Sequence, residues 1–341
     1  MNKRTAVVGY IAMVVLVGCT LYTSLEIAVR LCHLPDPELI RDMESTRAAV
    51  EHRAGAFAWT SSQYGWDQAE IIEAAADDSS GRREPATILF VGDSVTRGYT
   101  VDLATEAYPL LLGKVLATHL PVRVVNTAVQ GFGVDQMLLK LEEVVPQYHP
   151  QLIVFAYIPH DLWRPARNIN YGYPKPVVVP DGTTTWHVRP APDIREVYQG
   201  YAQAKRTFSV SLWTLRHIVR NRRYYFPHVY AFYYRALFQA IRARLLGLAA
   251  HYQVNILVVR LASTWPGAPL PFLDSLAREI FTAPADEDHL EYVDIEGCVQ
   301  AQARAFGRNY AEEFRFHPTP VGHQMYAACL VEPLRAALDA P

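Results

Sequence analysis

Cysteine is scarce, with four in 341 residues and no C-x-x-C pair, so neither a disulfide-built scaffold nor a thiolate zinc site is expected. An excess of one charge is missing too: 32 Lys+Arg stand against 34 Asp+Glu, a net charge of -2. That balance excludes the basic domain or stripe by which nucleic-acid binders hold phosphate. The chain has no internal repeat and no low-complexity tract. Only one apolar run is long enough to span a bilayer, so a polytopic membrane protein is excluded. With half its residues hydrophobic and 19% charged, the chain is not disordered. At about 150 residues per domain, one large α/β domain or two small ones fit the length.

The apolar run extends from Ala6 to about Leu25, behind Lys3 and Arg4. Its length matches a hydrocarbon core of roughly 30 Å, and the leading cations place the amino end in the cytoplasm with the remainder outside. Three fates are open. The segment 1–34 serves as an uncleaved signal anchor in a bacterial inner membrane, or Leu16-Val17-Gly18-Cys19 acts as a lipobox and Cys19 carries lipid, or a secretory peptide is removed. All three deliver the main domain to the periplasm or outside, where Cys298 and Cys329 either form a disulfide or remain buried thiols.

Residues 35–85 read as a lead-in that ends in the polar stretch from Asp77 to Glu84. Apolar strands and helices then alternate over 86–341: strands at 87–91, 122–125, 152–157, 254–259 and 292–295, helices at 105–118, 134–148, 229–252, 299–306 and 319–338. Strands that are continuously apolar are buried on both faces, as in a parallel sheet covered by helices. A Pro-, Tyr- and Gly-rich insertion at about 163–207 contains a β-hairpin over 176–188.

Ligands of an open parallel sheet bind at the carboxyl ends of its strands. Four polar groups fall there. The first strand runs into Gly92-Asp93-Ser94, the second ends at Asn126 with Gly131 five residues on, the third leads to Pro159-His160-Asp161, and His317 precedes the last helix. Taken singly, Ser94 reads as a helix N-cap, Gly131 as a loop glycine and His323 as a structural histidine. Together they suit nucleophilic catalysis, with a histidine base facing a serine. Trp163, Tyr171, Tyr173 and Trp186 in the insertion suit either packing or stacking on a sugar, and the tyrosines between 224 and 234 suit a helix face.

This set, in this order, resembles the SGNH or GDSL hydrolase superfamily over about Thr87 to Leu338, most specifically at Ile88–Gly98, and its bacterial membrane-anchored members in particular. The resemblance implies a flavodoxin-like three-layer α/β/α sandwich and hydrolysis or transfer of acyl esters without metal or organic cofactor. It implies Ser94 as nucleophile, His317 as general base, and the Ser94 and Gly131 N–H groups in the oxyanion hole. Two positions depart from the family pattern. His160 stands where the family has an oxyanion-hole asparagine, and Phe314 and Arg315 stand where it has its acid. A neutral imidazole still donates one N–H, whereas losing an oxyanion donor costs roughly 10²–10³-fold in rate. Loss of the orienting acid costs about 10⁴-fold in other serine hydrolases. Glu313 or Glu312 takes over that role, or a backbone carbonyl leaves a Ser-His dyad, or hydrolysis is impaired.

Two functions therefore stand side by side. One is a membrane-tethered extracytoplasmic serine esterase acting on an acylated envelope glycan or lipid. The other is an SGNH-fold binding or assembly module with relaxed catalysis. An acyltransferase partner in the same membrane is an expectation of the family analogy alone.

Overall fold

The computed structural model describes residues 3–32, 74–75, 85–170, 173–182, 185–207, 209–264, 271–284 and 289–339. Most of the lead-in, Tyr171 and the tip of the hairpin turn lie outside the described residues.

Among the described residues ten strands occur in chain order: β1 (Ala74–Ala75), β2 (Ala86–Val91), β3 (Val122–Asn126), β4 (Leu152–Tyr157), β5 (Ile169–Asn170), β6 (Tyr173–Pro174), β7 (Val177–Pro180), β8 (Trp186–Arg189), β9 (Asn255–Arg260) and β10 (Leu290–Asp294). Six make the central sheet in the order β1-β3-β2-β4-β9-β10. Five of them run parallel, and only the two-residue β1 pairs antiparallel, with β3. β5 and β6 form a small ribbon, and β7 pairs with β8 as the expected hairpin, Val178 opposite Val188.

Alternation along β2 explains the three layers. Ile88 and Phe90 point to one face, where Leu112, Leu116, Val299, Tyr326 and Leu330 cover them. Leu89 and Val91 point to the other, under Met137, Leu138, Phe238 and Ile241. All four strand residues have zero exposure, and burial of each such side chain is worth about 1.5–3 kcal/mol. The helices Tyr108–Leu116, Glu296–Ala305 and Pro320–Asp339 thus lie on one side, Val134–Tyr148, Ala231–Tyr252 and Pro271–Phe281 on the other. Cys298 and Cys329 form a disulfide that ties Glu296–Ala305 to Pro320–Asp339.

The chain leaves β2 for β3 on one side of it and returns to β4 on the other. This reversal opens a crevice at the carboxyl end of β2, where a doubly wound sheet accepts its ligand. At the amino end, the helix Lys3–Cys32 includes a stretch, Tyr10–Ala28, long and apolar enough to cross a membrane.

Candidate active site

Geometry at the end of β2 begins with Gly92. A Cβ there would meet the Thr96 side chain at 2.3 Å and the Ala156 carbonyl oxygen at 2.9 Å, so only glycine lets the chain turn this tightly against β4. Asp93 then caps the short helix Ser94–Arg97, its Oδ1 accepting from the Val95 N–H at 2.9 Å. Gly98 ends that helix in the left-handed region at φ +83°. Ser94 is consequently the first residue of a rigidly held turn.

Asn126 at the end of β3 buttresses this turn. Its Nδ2 donates to the Thr96 carbonyl at 2.9 Å and its Oδ1 accepts from the Ala128 N–H at 3.2 Å. Gly131 follows with φ +78°, a left-handed conformation that glycine adopts at no steric cost. Beyond β4, His160 lies in the turn Pro159–Leu162, buried and edge-on to Trp163 at 5.9 Å. Burial, then the guanidinium charges of Arg164 and Arg167, push its imidazole well below the usual histidine range. His160 is therefore neutral near pH 7 and keeps one N–H to donate.

His317 arrives from the opposite side of the crevice. Its Nε2 lies 2.9 Å from Ser94 Oγ. Phe316 at φ +60° and a 2.7 Å hydrogen bond from the His317 N–H to the Arg315 carbonyl make the tight bend that presents the ring. Gly322 permits the approach of the last helix, since a Cβ would meet the Glu313 carbonyl oxygen at 2.9 Å. Thr100 adds a clamp from the far side, its hydroxyl donating to the Pro318 carbonyl at 3.1 Å. Burial lowers the His317 pKa below 6.5, while the Asp93 carboxylate opposes and Arg164 adds to that shift. The ring is thus an unprotonated acceptor at neutral pH.

The two glutamates have different surroundings. Glu313 is buried, accepts from the Thr319 hydroxyl and faces Arg308 at 3.7 Å. Glu312 is exposed. Arg315 is exposed too, with its guanidinium over the Phe316 ring at 5.5 Å. Of the other aromatics, Trp163 stacks on Tyr224 at 4.1 Å and donates its indole N–H to the Tyr224 carbonyl, and Tyr233 and Tyr234 are core residues. His323 is fully buried and its Nδ1 accepts from the Tyr108 N–H at 3.3 Å.

One group went unnoticed in the sequence. Arg164, 1% exposed, places Nη1 3.4 Å from Asp93 Oδ2, 2.7 Å from the Phe132 carbonyl oxygen, and against Asp161 Oδ1. Asp161 in turn accepts from the Ile158 N–H at 3.0 Å. The only local signal was the i,i+3 spacing of Asp161 and Arg164, which many surface turns share. Among the described residues no group of three or more His, Cys, Asp or Glu side chains is placed to hold a metal ion.

Similar solved structures include TesA, 16% identical, covering 74% of this chain and 99% of its own with a TM-score of 0.41. A catalytic mutant of Axe2, an acetylxylan esterase from Geobacillus stearothermophilus, is 16% identical over 76% of this chain and 98% of its own, with a TM-score of 0.41. The psychrotrophic esterase EstA from Pseudoalteromonas sp. is 12% identical over 74% and 99%, with a TM-score of 0.42. No curated protein matches by sequence. The model of the GDSL-like lipase/acylhydrolase family matches residues 90–325, more than half of the chain and the whole span from Ser94 to His317, and the chain accordingly belongs to that family of ester hydrolases.

Proposed function

We propose that the protein is a serine esterase tethered to the outer face of a bacterial inner membrane, with the amino end cytoplasmic and the catalytic domain periplasmic. One observation carries the chemistry: the 2.9 Å contact between His317 Nε2 and Ser94 Oγ. In this reading neutral His317 takes the hydroxyl proton as Ser94 attacks an ester carbonyl. The negative charge on the tetrahedral oxygen is met by the Ser94 and Gly131 N–H groups and by the neutral imidazole of His160. His317 then returns the proton to the departing alcohol, and water or a sugar hydroxyl resolves the acyl-enzyme. The substrate class is an acylated envelope glycan or lipid, because a tethered enzyme meets esters at the membrane surface. A cleaved or lipidated amino end at Cys19 would alter the anchor and leave the chemistry intact.

A second reading, a binding module with weakened catalysis, rests on the Glu313 carboxylate, which Thr319 and Arg308 engage. Full-length protein exposed to a fluorophosphonate probe separates the two. Labelling that disappears in Ser94→Ala and in His317→Ala supports the esterase. A folded chain that never labels supports the module. Retention of Met1 by intact mass supports the uncleaved anchor.

A further inference from the structure

Glu26 is out of place in an apolar span. It lies two residues before the end of the stretch Tyr10–Ala28, yet its side chain has zero exposure. Its two oxygens accept from consecutive backbone N–H groups, Oε1 from Val210 and Oε2 from Ser211, both at 2.8 Å. These are the first two residues of the helix Val210–Arg220, whose leading N–H groups have no partner within the helix. An anion at that end also opposes the positive pole of the helix dipole. The amino end of Val210–Arg220 is thereby fixed about 3 Å along the axis from the last residue of the span, at 1.5 Å rise per residue.

That helix has apolar side chains on the wrong side. Val210, Thr214 and His217 are buried, as is Ser211, whose N–H meets Glu26. Leu212, Leu215 and Val219 are 47%, 55% and 55% exposed. At 100° per residue these three fall within about 60° of one another, nearly opposite the buried face. Arg216 and Arg220, both exposed, run along the edge of the stripe. The surrounding segment from Lys205 to Arg223 holds six Lys or Arg and no Asp or Glu, within a chain whose net charge is -2.

We propose that Val210–Arg220 lies in the plane of the outer leaflet, with Leu212, Leu215 and Val219 sunk to the headgroup–acyl boundary and the flanking arginines on lipid phosphates. An apolar stripe bordered by cations is what an interfacial helix needs, and Glu26 sets its start at the depth where the span leaves the hydrocarbon. The span itself also exposes Leu21, Leu25 and Ile27 towards the end that carries Glu26. The catalytic domain is then held at the bilayer by two contacts, the span and this helix. This inference rests on the membrane-anchored reading above and adds an orientation to it.

The test uses the full chain in phosphatidylcholine–phosphatidylglycerol nanodiscs, in a Cys19→Ser, Cys32→Ser background. An environment-sensitive fluorophore is attached through Leu215→Cys, Val219→Cys, Leu16→Cys in the span, or Phe306→Cys in the turn that ends Glu296–Ala305, in separate variants. Bromolipid quenching at positions 215 and 219, with iodide quenching confined to 306, supports the proposal. Iodide quenching at 215 and 219 as strong as at 306, with 16 still reached by bromolipid, overturns it and leaves the anchor standing; the stripe is then an open surface for a protein partner. Failure of bromolipid to reach position 16 overturns the anchor reading itself. Should the labelled variants not fold, hydrogen exchange of the unsubstituted chain decides: amides of 211–220 that are equally protected in nanodiscs with and without phosphatidylglycerol, and as open as those around 306, count against the proposal.

Discussion

Removing the Cys298–Cys329 bridge is the perturbation whose size the structure defines best. The bonded cysteines are 31 positions apart, and the chain between them carries Glu313, His317 and Gly322. Closing a loop of that length withdraws about 12 cal/mol/K from the unfolded ensemble, or about 3.7 kcal/mol at 25 °C in the chain-entropy account. Cys329 is also buried, so Cys329→Ala removes a little packing as well. The Cys298→Ser, Cys329→Ala protein should therefore lose about 4 kcal/mol in urea unfolding, and its Tm should fall by roughly 7–15 °C for a domain of this size. Native labelling by the fluorophosphonate should persist at 25 °C, because Thr100, Thr319 and Gly322 hold the His317 turn independently of the bridge. Parallel melts of the parent with and without reductant provide the control, since Cys298 is exposed and reducible. A double variant within 1 kcal/mol of the parent would refute the reasoning, as would a stable fold that has lost all labelling.

Three further outcomes are expected. Because burial holds the His317 pKa below 6.5 and only the unprotonated ring can accept the Ser94 proton, the acid limb of the labelling-rate profile should have its midpoint below pH 6.5; a midpoint at or above that value would contradict the assignment. His323, pushed down to about 4 by burial and by the His317 charge, takes up its proton more readily when unfolded, so stability should be full above pH 6.5 and fall by about 3 kcal/mol towards pH 4. Urea titrations of His323→Gln should show a visibly flatter pH slope, and an unchanged slope would remove His323 from that account. His160→Ala should lower kcat on an activated acyl ester by roughly 10²–10³-fold with KM little changed, whereas a fall confined to KM would mean that His160 binds substrate and does not meet the oxyanion.

Much of this arrangement was legible in the chain. The buried strands showed as continuous apolar runs, and the hairpin showed as two short strands around a Pro-Asp-Gly turn. What escaped was amphipathic or short. The helix Ile194–Arg206 lies in what reads as an irregular insertion, and Val210–Arg220 falls between that insertion and the helix read at 229–252, although both are strongly amphipathic. Pro271–Phe281 was missed behind the proline-rich approach to it. At the site, Ser94, Gly131 and His160 could be placed from strand ends, since topology delivers those ends to one edge, whereas His317 was placed by its position just before the last helix and by the family resemblance. Arg164 could not, because what it does depends on Asp93 and the Phe132 carbonyl, 71 and 32 positions away. The contact of Glu26 with Val210 spans 184 positions, and no local pattern encodes it.

The single guanidinium of Arg164 touches the loop after β2 through Asp93, the loop after β3 through Phe132, and the turn after β4 through Asp161. Three separate connections are pinned at one point, so displacement of any one is transmitted to the others. The loop that carries Phe132 and the turn that carries Ser94 are thus coupled through one side chain. The insertion read at about 163–207 starts at this pin, Arg164 being one of its first residues. Further along it, buried Lys175 pairs with buried Asp135 at the start of the helix after the Gly131 loop, so the insertion is tied to the same edge of the sheet a second time.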